Sequence, residues 1–124
     1  MDIDNLSKDH EEFVDRLIKA GLQKNVALTL LVVASSDETK SREIETITRL
    51  RQPEVSIAIN ELRDQNWIAK RDIKKEGKGR PVHSYYLDKT MNEIIDEIVG
   101  KEIERIEEIE DNLQQIKELS NSVL

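Results

Sequence analysis

From Met91 to Leu119 apolar residues recur at spacings of three and four without interruption: Met91, Ile94, Ile95, Ile98, Val99, Ile103, Ile106, Ile109, Leu113, Ile116 and Leu119. Spacing of this kind draws an apolar stripe along an α-helix. Asp88 or Thr90 can cap the helix, which is expected from about Lys89 to Ser120. At 1.5 Å per residue, 30 residues make a rod of roughly 45 Å, longer than a domain of fewer than 90 residues is wide. The stripe therefore has to be covered by another chain. Ile98, Val99, Ile103, Ile106, Ile109, Leu113 and Ile116 are the expected dimerisation residues of a coiled-coil-like tail spanning 88–124. The runs 103, 106, 109 and 113, 116, 119 each contain two consecutive threes, which breaks a clean heptad. Register, pairing direction and the choice between dimer and tetramer stay open at this level. Gly100 marks a candidate bend.

The remaining 87 residues suffice for one modest core. Ser7 precedes a helix over Lys8–Ala20 in which Phe13, Val14, Leu17 and Ile18 share a face, and Gly21 is its candidate stop. The next helix, about Lys24 to Ser35, is apolar nearly all round, which suits the centre of a core or a subunit interface. A polar break, Ser36 to Lys40, leads to Ser41 as expected N-cap of a third helix bearing Ile44, Ile47 and Leu50. Arg51 and Gln52 are expected to form a turn. Pro53 suits the first turn of a fourth helix, since it lacks the N–H that would find no intrahelical partner there. That helix should bury Val55, Ala58, Ile59 and Leu62 and end near Asn66. Trp67–Lys74 and Val82–Leu87 read as two strands of a hairpin around a Gly-rich basic loop, Lys75–Pro81.

Charge is unevenly distributed. The net charge is -7, which looks unfavourable for binding phosphates. Residues 88–124 nevertheless hold eleven acids against four bases, so the tail accounts for all of it and residues 1–87 are neutral. Within 68–83, Lys70, Arg71, Lys74, Lys75, Lys78 and Arg80 stand against only Asp72 and Glu76. A concentrated basic segment beside a helix-turn-helix pattern is the electrostatic footprint of a nucleic-acid binder.

Three helices, a turn, a fourth helix and a hairpin follow the order of a winged helix. The expected class is mainly α with a small β-hairpin, an α+β winged helix-turn-helix domain over 1–87 followed by the long C-terminal dimerisation helix. The stretch Ser41-Arg-Glu-Ile-Glu, then Leu50-Arg-Gln-Pro-Glu-Val-Ser-Ile-Ala-Ile-Asn-Glu-Leu-Arg-Asp-Gln-Asn-Trp67-Ile, with Gly77-Lys-Gly-Arg-Pro81 and Tyr85-Tyr-Leu87 downstream, resembles archaeal winged-helix transcriptional regulators of the broad MarR, TrmB and ArsR-like grouping. The likeness covers about residues 22–98. It implies a homodimer bound to a pseudo-palindromic operator in double-stranded DNA, usually repressing.

On this reading the fourth helix enters the major groove and its N-terminal side chains meet base edges. The expected DNA-binding set is Ser41, Arg42, Arg51, Gln52, Glu54, Ser56, Ile57, Asn60 and Arg63, joined by Lys75, Lys78 and Arg80 of the wing. Glutamine and asparagine pair bidentately with adenine, glutamate accepts from cytosine N4, and an apolar side chain meets a thymine methyl. The plainer alternative is a solvated helix face. Lys78-Gly79-Arg80-Pro81 is similar to the Gly-Arg-Pro core of minor-groove hooks, whose arginine enters a narrow, electronegative groove; the alternative is a basic loop that touches phosphates alone. A winged helix serving as a protein-interaction module, and a non-specific architectural DNA binder, are the rival functions.

Other chemistry is not expected. With no cysteine there is no disulfide framework or zinc–thiolate site. His10 and His83 stand far apart, so the metal-sensing variant of the ArsR type lacks its ligands, and His83 is expected to touch a phosphate or fill the sheet. Acid pairs such as Glu107 and Glu108 belong to a solvated rod face rather than a metal or catalytic site. No phosphate loop, serine elbow or His–carboxylate motif is present, so neither an enzyme nor a cofactor is expected. A small-molecule effector is compatible with this pattern, but no residue marks its site. Val26–Ala34, the longest apolar run, is far shorter than the roughly 20 residues of a membrane span. Met1–Asn5 carries acids where a signal peptide carries bases. A cytoplasmic protein away from membranes is expected.

Overall fold

Val26 to Val33 are buried at eight consecutive positions, which no amphipathic helix would allow, and the other helices assemble around this segment. The computed structural model describes residues 6–73 and 82–124. The described residues form the helices α1 (Lys8–Lys19), α2 (Lys24–Ala34), α3 (Ser41–Thr48), α4 (Gln52–Asp64) and α5 (Met91–Val123) and the strands β1 (Thr39–Lys40), between α2 and α3, and β2 (Ile68–Ile73) and β3 (Val82–Leu87), between α4 and α5. They form two compact units, Met1–Met91 and Asn92–Leu124.

Local chemistry sets the helix ends. The Ser7 hydroxyl accepts from the His10 backbone N–H at 3.2 Å, an N-cap for α1. At its other end Leu22 N–H donates to the Leu17 carbonyl and Gly21 N–H to the Ile18 carbonyl, the paired bonds of a Schellman motif. This motif requires a left-handed residue, and Gly21 supplies it at φ +106°. The same closure ends α4: Trp67 N–H reaches Leu62 and Asn66 N–H reaches Arg63, with Asn66 at φ 62°. Asparagine tolerates the conformation second best to glycine. Both motifs turn the chain sharply while satisfying carbonyls that would otherwise lack partners.

The core of the first unit combines α2 with Val14 and Leu17 of α1, Ile44 of α3, Val55, Ala58, Ile59 and Leu62 of α4, and Trp67, Ile68 and Tyr85 from the sheet side. The α4 residues are the four whose spacing predicted a buried stripe. The sheet has order β1-β3-β2 and is antiparallel throughout. Ile68 pairs with Leu87 and Ile73 with Val82, so the hairpin keeps one register along its described length.

Several boundaries differ from the sequence expectation. The Ser36–Lys40 break contains a third strand, β1, with Thr39 opposite Tyr85 and Lys40 opposite Ser84. Because β1 runs directly into α3, the N-cap is the extended Lys40, and Ser41 is the first helical residue rather than the cap. Leu50 falls beyond α3. The turn to α4 is made by Arg49, left-handed at φ 60°, with Leu50 and Arg51, and Gln52 already lies in the helix. The Thr48 hydroxyl stabilises this turn, donating to the Ile44 carbonyl at 2.6 Å and accepting from Leu50 N–H at 3.2 Å. α1 and α2 each stop one residue earlier than expected, at Lys19 and Ala34. β2 is Ile68–Ile73, one residue shorter at its start, and α5 runs on to Val123. The arrangement is that of a winged helix. No helix among the described residues is long and apolar enough to cross a membrane.

Candidate nucleic-acid interface

At 100° per residue the buried Val55, Ala58, Ile59 and Leu62 occupy one side of α4, and Ile57 and Asn60 point the opposite way. Gln52, Ser56, Asn60 and Arg63 are exposed. Ile57 is 59% exposed, and among the described residues of the first unit it is the one large hydrophobic side chain in that condition. An aliphatic side chain left in water amid polar neighbours on a folded surface forgoes about 1–2 kcal/mol of burial.

Not every expected reader is free to read. The Glu54 carboxylate accepts from the Arg51 backbone N–H at 3.0 Å, closing the first turn of α4. Its other oxygen accepts from Asn25 Nδ2 of α2 at 3.4 Å, and the Arg51 guanidinium lies 3.9 Å away. Glu54 thus fixes the helix start and ties it to α2. Glutamate three residues after an N-cap is a capping signal, but the cap here is arginine, so the pattern was hidden in the sequence.

Ser41 is half-buried and Arg42 exposed at the start of α3. With Lys40, Glu45, Val82 and His83 they line a shallow groove of about 420 Å³ between α3 and the sheet. Lys40 was not anticipated as a contributor. The signal available was its position directly before Ser41-Arg42, but reading Ser36–Lys40 as a simple break concealed its place at the sheet edge. Among the described residues the side chains of Lys40, Arg42 and Arg63 make no ion pair.

The base of the hairpin is internally balanced. Arg71 Nε lies 3.5 Å from Glu38 Oε1, and the same carboxylate oxygen accepts from the Ser84 hydroxyl. Lys70 Nζ is 3.9 Å from Asp72, whose carboxylate also meets His83 Nδ1 at 2.5 Å. Glu38 therefore joins the approach to β1 to both hairpin strands, a role with no sequence signature. Lys70 and Arg71 already have acidic partners, which leaves the positive excess of the hairpin, as read in the sequence, at residues 74–80. Lys75, Lys78 and Arg80 lie outside the described residues.

In the second unit Val99, Ile103, Ile106, Ile109, Leu113 and Ile116 are each about half exposed, as are Leu119 and Val123 to a greater extent, whereas Ile98 is buried. Ile98 thus does not belong to the exposed stripe with the other expected dimerisation residues. No group of three or more His, Cys, Asp or Glu capable of holding a metal occurs among the described residues.

No protein-family model matches the sequence, and no curated protein sequence matches it. Solved structures do. TrmBL2, an archaeal chromatin protein described as showing a novel mode of DNA binding, superposes with a TM-score of 0.63 at 14% identity, over 89% of this chain and 40% of its own. This chain thus spans well under half of that protein. A possible transcriptional regulator from Methanosarcina mazei Go1 gives a TM-score of 0.60 at 18% identity, covering 79% of this chain and 87% of that one. A MarR family transcriptional regulator from Silicibacter pomeroyi gives 0.53 at 18% identity, covering 92% and 78%. At these identities the likeness establishes a shared winged-helix fold.

Proposed function

We propose that this protein is a sequence-specific double-stranded DNA-binding transcriptional regulator, a homodimeric repressor that sets α4 in the major groove and its basic wing at the adjacent minor groove. The observation that carries the reading is Ile57, an exposed aliphatic side chain facing away from the core on the side of α4 that also exposes Ser56 and Asn60. Polar side chains able to read base edges beside one that fits a thymine methyl suit a groove-reading surface. Lys40, Arg42 and Arg63, whose side chains make no ion pair among the described residues, suit phosphates, which position a protein without specifying sequence. Two of the similar structures bear the description of transcriptional regulator.

Selection of bound duplexes from a random library tests the proposal. The expected outcome is a palindromic consensus, and Gln52→Ala is expected to alter the preferred base at one position in each half-site. Selection without enrichment, or an unchanged profile for Gln52→Ala, counts against base reading by α4.

The fold shared with a chromatin protein favours one second reading, an architectural DNA binder. Such a protein would retain every duplex alike in the same selection while keeping a steep loss of affinity with salt.

A further inference from the structure

Eight aliphatic side chains of α5 are exposed in sequence, Val99, Ile103, Ile106, Ile109, Leu113, Ile116, Leu119 and Val123. Their separations are 4, 3, 3, 4, 3, 3 and 4, which read the same from either end. Any stripe is in register with itself when two helices run parallel. A palindromic stripe is also in register when they run antiparallel. With the centre at Asp111, Val99 meets the partner's Val123, Ile103 the partner's Leu119, Ile106 the partner's Ile116 and Ile109 the partner's Leu113.

Charge decides between the two directions. Between Val99 and Glu110 lie Glu102, Glu104, Glu107, Glu108 and Glu110 against Lys101 and Arg105, whereas between Asn112 and Val123 only Lys117 and Glu118 are charged and they cancel. Parallel rods would set the two acidic halves side by side, at a separation of roughly one Debye length, where screening is incomplete. Antiparallel rods set each acidic half beside a neutral half rich in Gln, Asn and Ser. Glu107 and Lys117 are ten residues apart, like Ile109 and Leu119, and so keep the same flank of the stripe; antiparallel pairing sets the partner's Lys117 two residues, about 3 Å, from the level of Glu107, within reach of it.

We propose that the α5 rods of two copies pair antiparallel, centred on Asp111. This rests on the homodimer proposed above and assigns its direction. The eight side chains, exposed by 49 to 79%, present on the order of 800 Å², the share of one partner in a standard interface. Ten residues per three steps is a shorter period than a heptad's 3.5, so the rods wind left-handed more steeply than a heptad pair.

The absence of native cysteine allows spin labels to be placed singly on the full-length chain. Labels on a Glu102→Cys dimer are expected about 27 Å apart along the rods, since 18 residues separate the two positions. A mixture of Glu102→Cys and Ser122→Cys chains is expected to give a short distance, under about 20 Å, in the mixed dimer. Exchanging Glu107→Lys together with Lys117→Glu is expected to restore a dimer that either change alone weakens. A sedimenting dimer whose Glu102→Cys labels lie close together overturns the antiparallel direction and leaves the DNA-binding reading standing. A monomer overturns the direction and the homodimer alike, while the duplex selection reports on base reading separately.

Discussion

Thr29 is fully buried in the middle of α2, and its hydroxyl has no hydrogen-bond partner among the described residues. Burial without a partner leaves the hydroxyl's desolvation uncompensated. Valine has nearly the same shape and no hydroxyl to satisfy. Thr29→Val is therefore expected to stabilise the first unit by about 1 kcal/mol, raising its melting midpoint by roughly 4–8 °C for a domain of this size. A thermal melt checks this, and a lowered midpoint would show that the hydroxyl is used. Residue roles of this kind were only partly legible in the sequence. Exposure of Ile57 followed from periodicity alone, because Val55, Ala58, Ile59 and Leu62, spaced three and four from one another, fill the opposite face. The engagement of Glu54 with Asn25 did not, since the two stand 29 positions apart in the sequence.

At the scale of elements, helices were legible and the short strand was not. α4 announces itself through Pro53 and four periodic apolar residues, and α5 through its stripe. β1 has two residues and depends wholly on pairing with β3, Thr39 with Tyr85 and Lys40 with Ser84, so nothing local in Ser36–Lys40 encodes it. Its presence moved the cap of α3 to Lys40 and put that lysine beside Arg42. The winged-helix order was readable because each helix has its own periodic signature, whereas the sheet edge is a tertiary fact. A surface element can be tested apart from its fold. Ile57→Ala removes side-chain carbons that touch little of the protein, so stability is expected to stay within about 0.5 kcal/mol. Affinity for the selected duplex is expected to fall about tenfold, the loss of about 1–2 kcal/mol of contact. Unfolding and gel-shift titrations together check the separation, and unchanged affinity would turn attention to a surface other than α4.

For the whole molecule, the separation of charge was the most legible property and the most useful. Residues 88–124 carry the entire net charge, and the acidic half of that tail is the evidence for antiparallel pairing. The hairpin base proved balanced by Glu38 and Asp72, which composition could not show because Glu38 reaches it from outside the basic segment. On the proposed function, phosphate attraction by the wing is expected of Lys74, Lys75, Lys78 and Arg80, the bases that the sequence leaves in excess there. Arg80→Ala is expected to weaken binding to every duplex and to reduce the slope of log affinity against log salt by about one. Wild-type affinity and slope in that variant would remove Arg80 from the interface.

The eight consecutive buried positions of α2 bear on how such a chain can change over generations. An ordinary helix offers several solvent-facing sites at which substitutions accumulate without harm. Val26 to Val33 offer none, so drift there is confined to exchanges among aliphatic residues of similar volume. The exposed side of α4 carries no such restriction from folding. If α4 reads DNA as proposed, descendants of one ancestral chain can thus acquire new binding preferences through α4 while α2 holds the architecture constant, which separates the inheritance of shape from the inheritance of specificity.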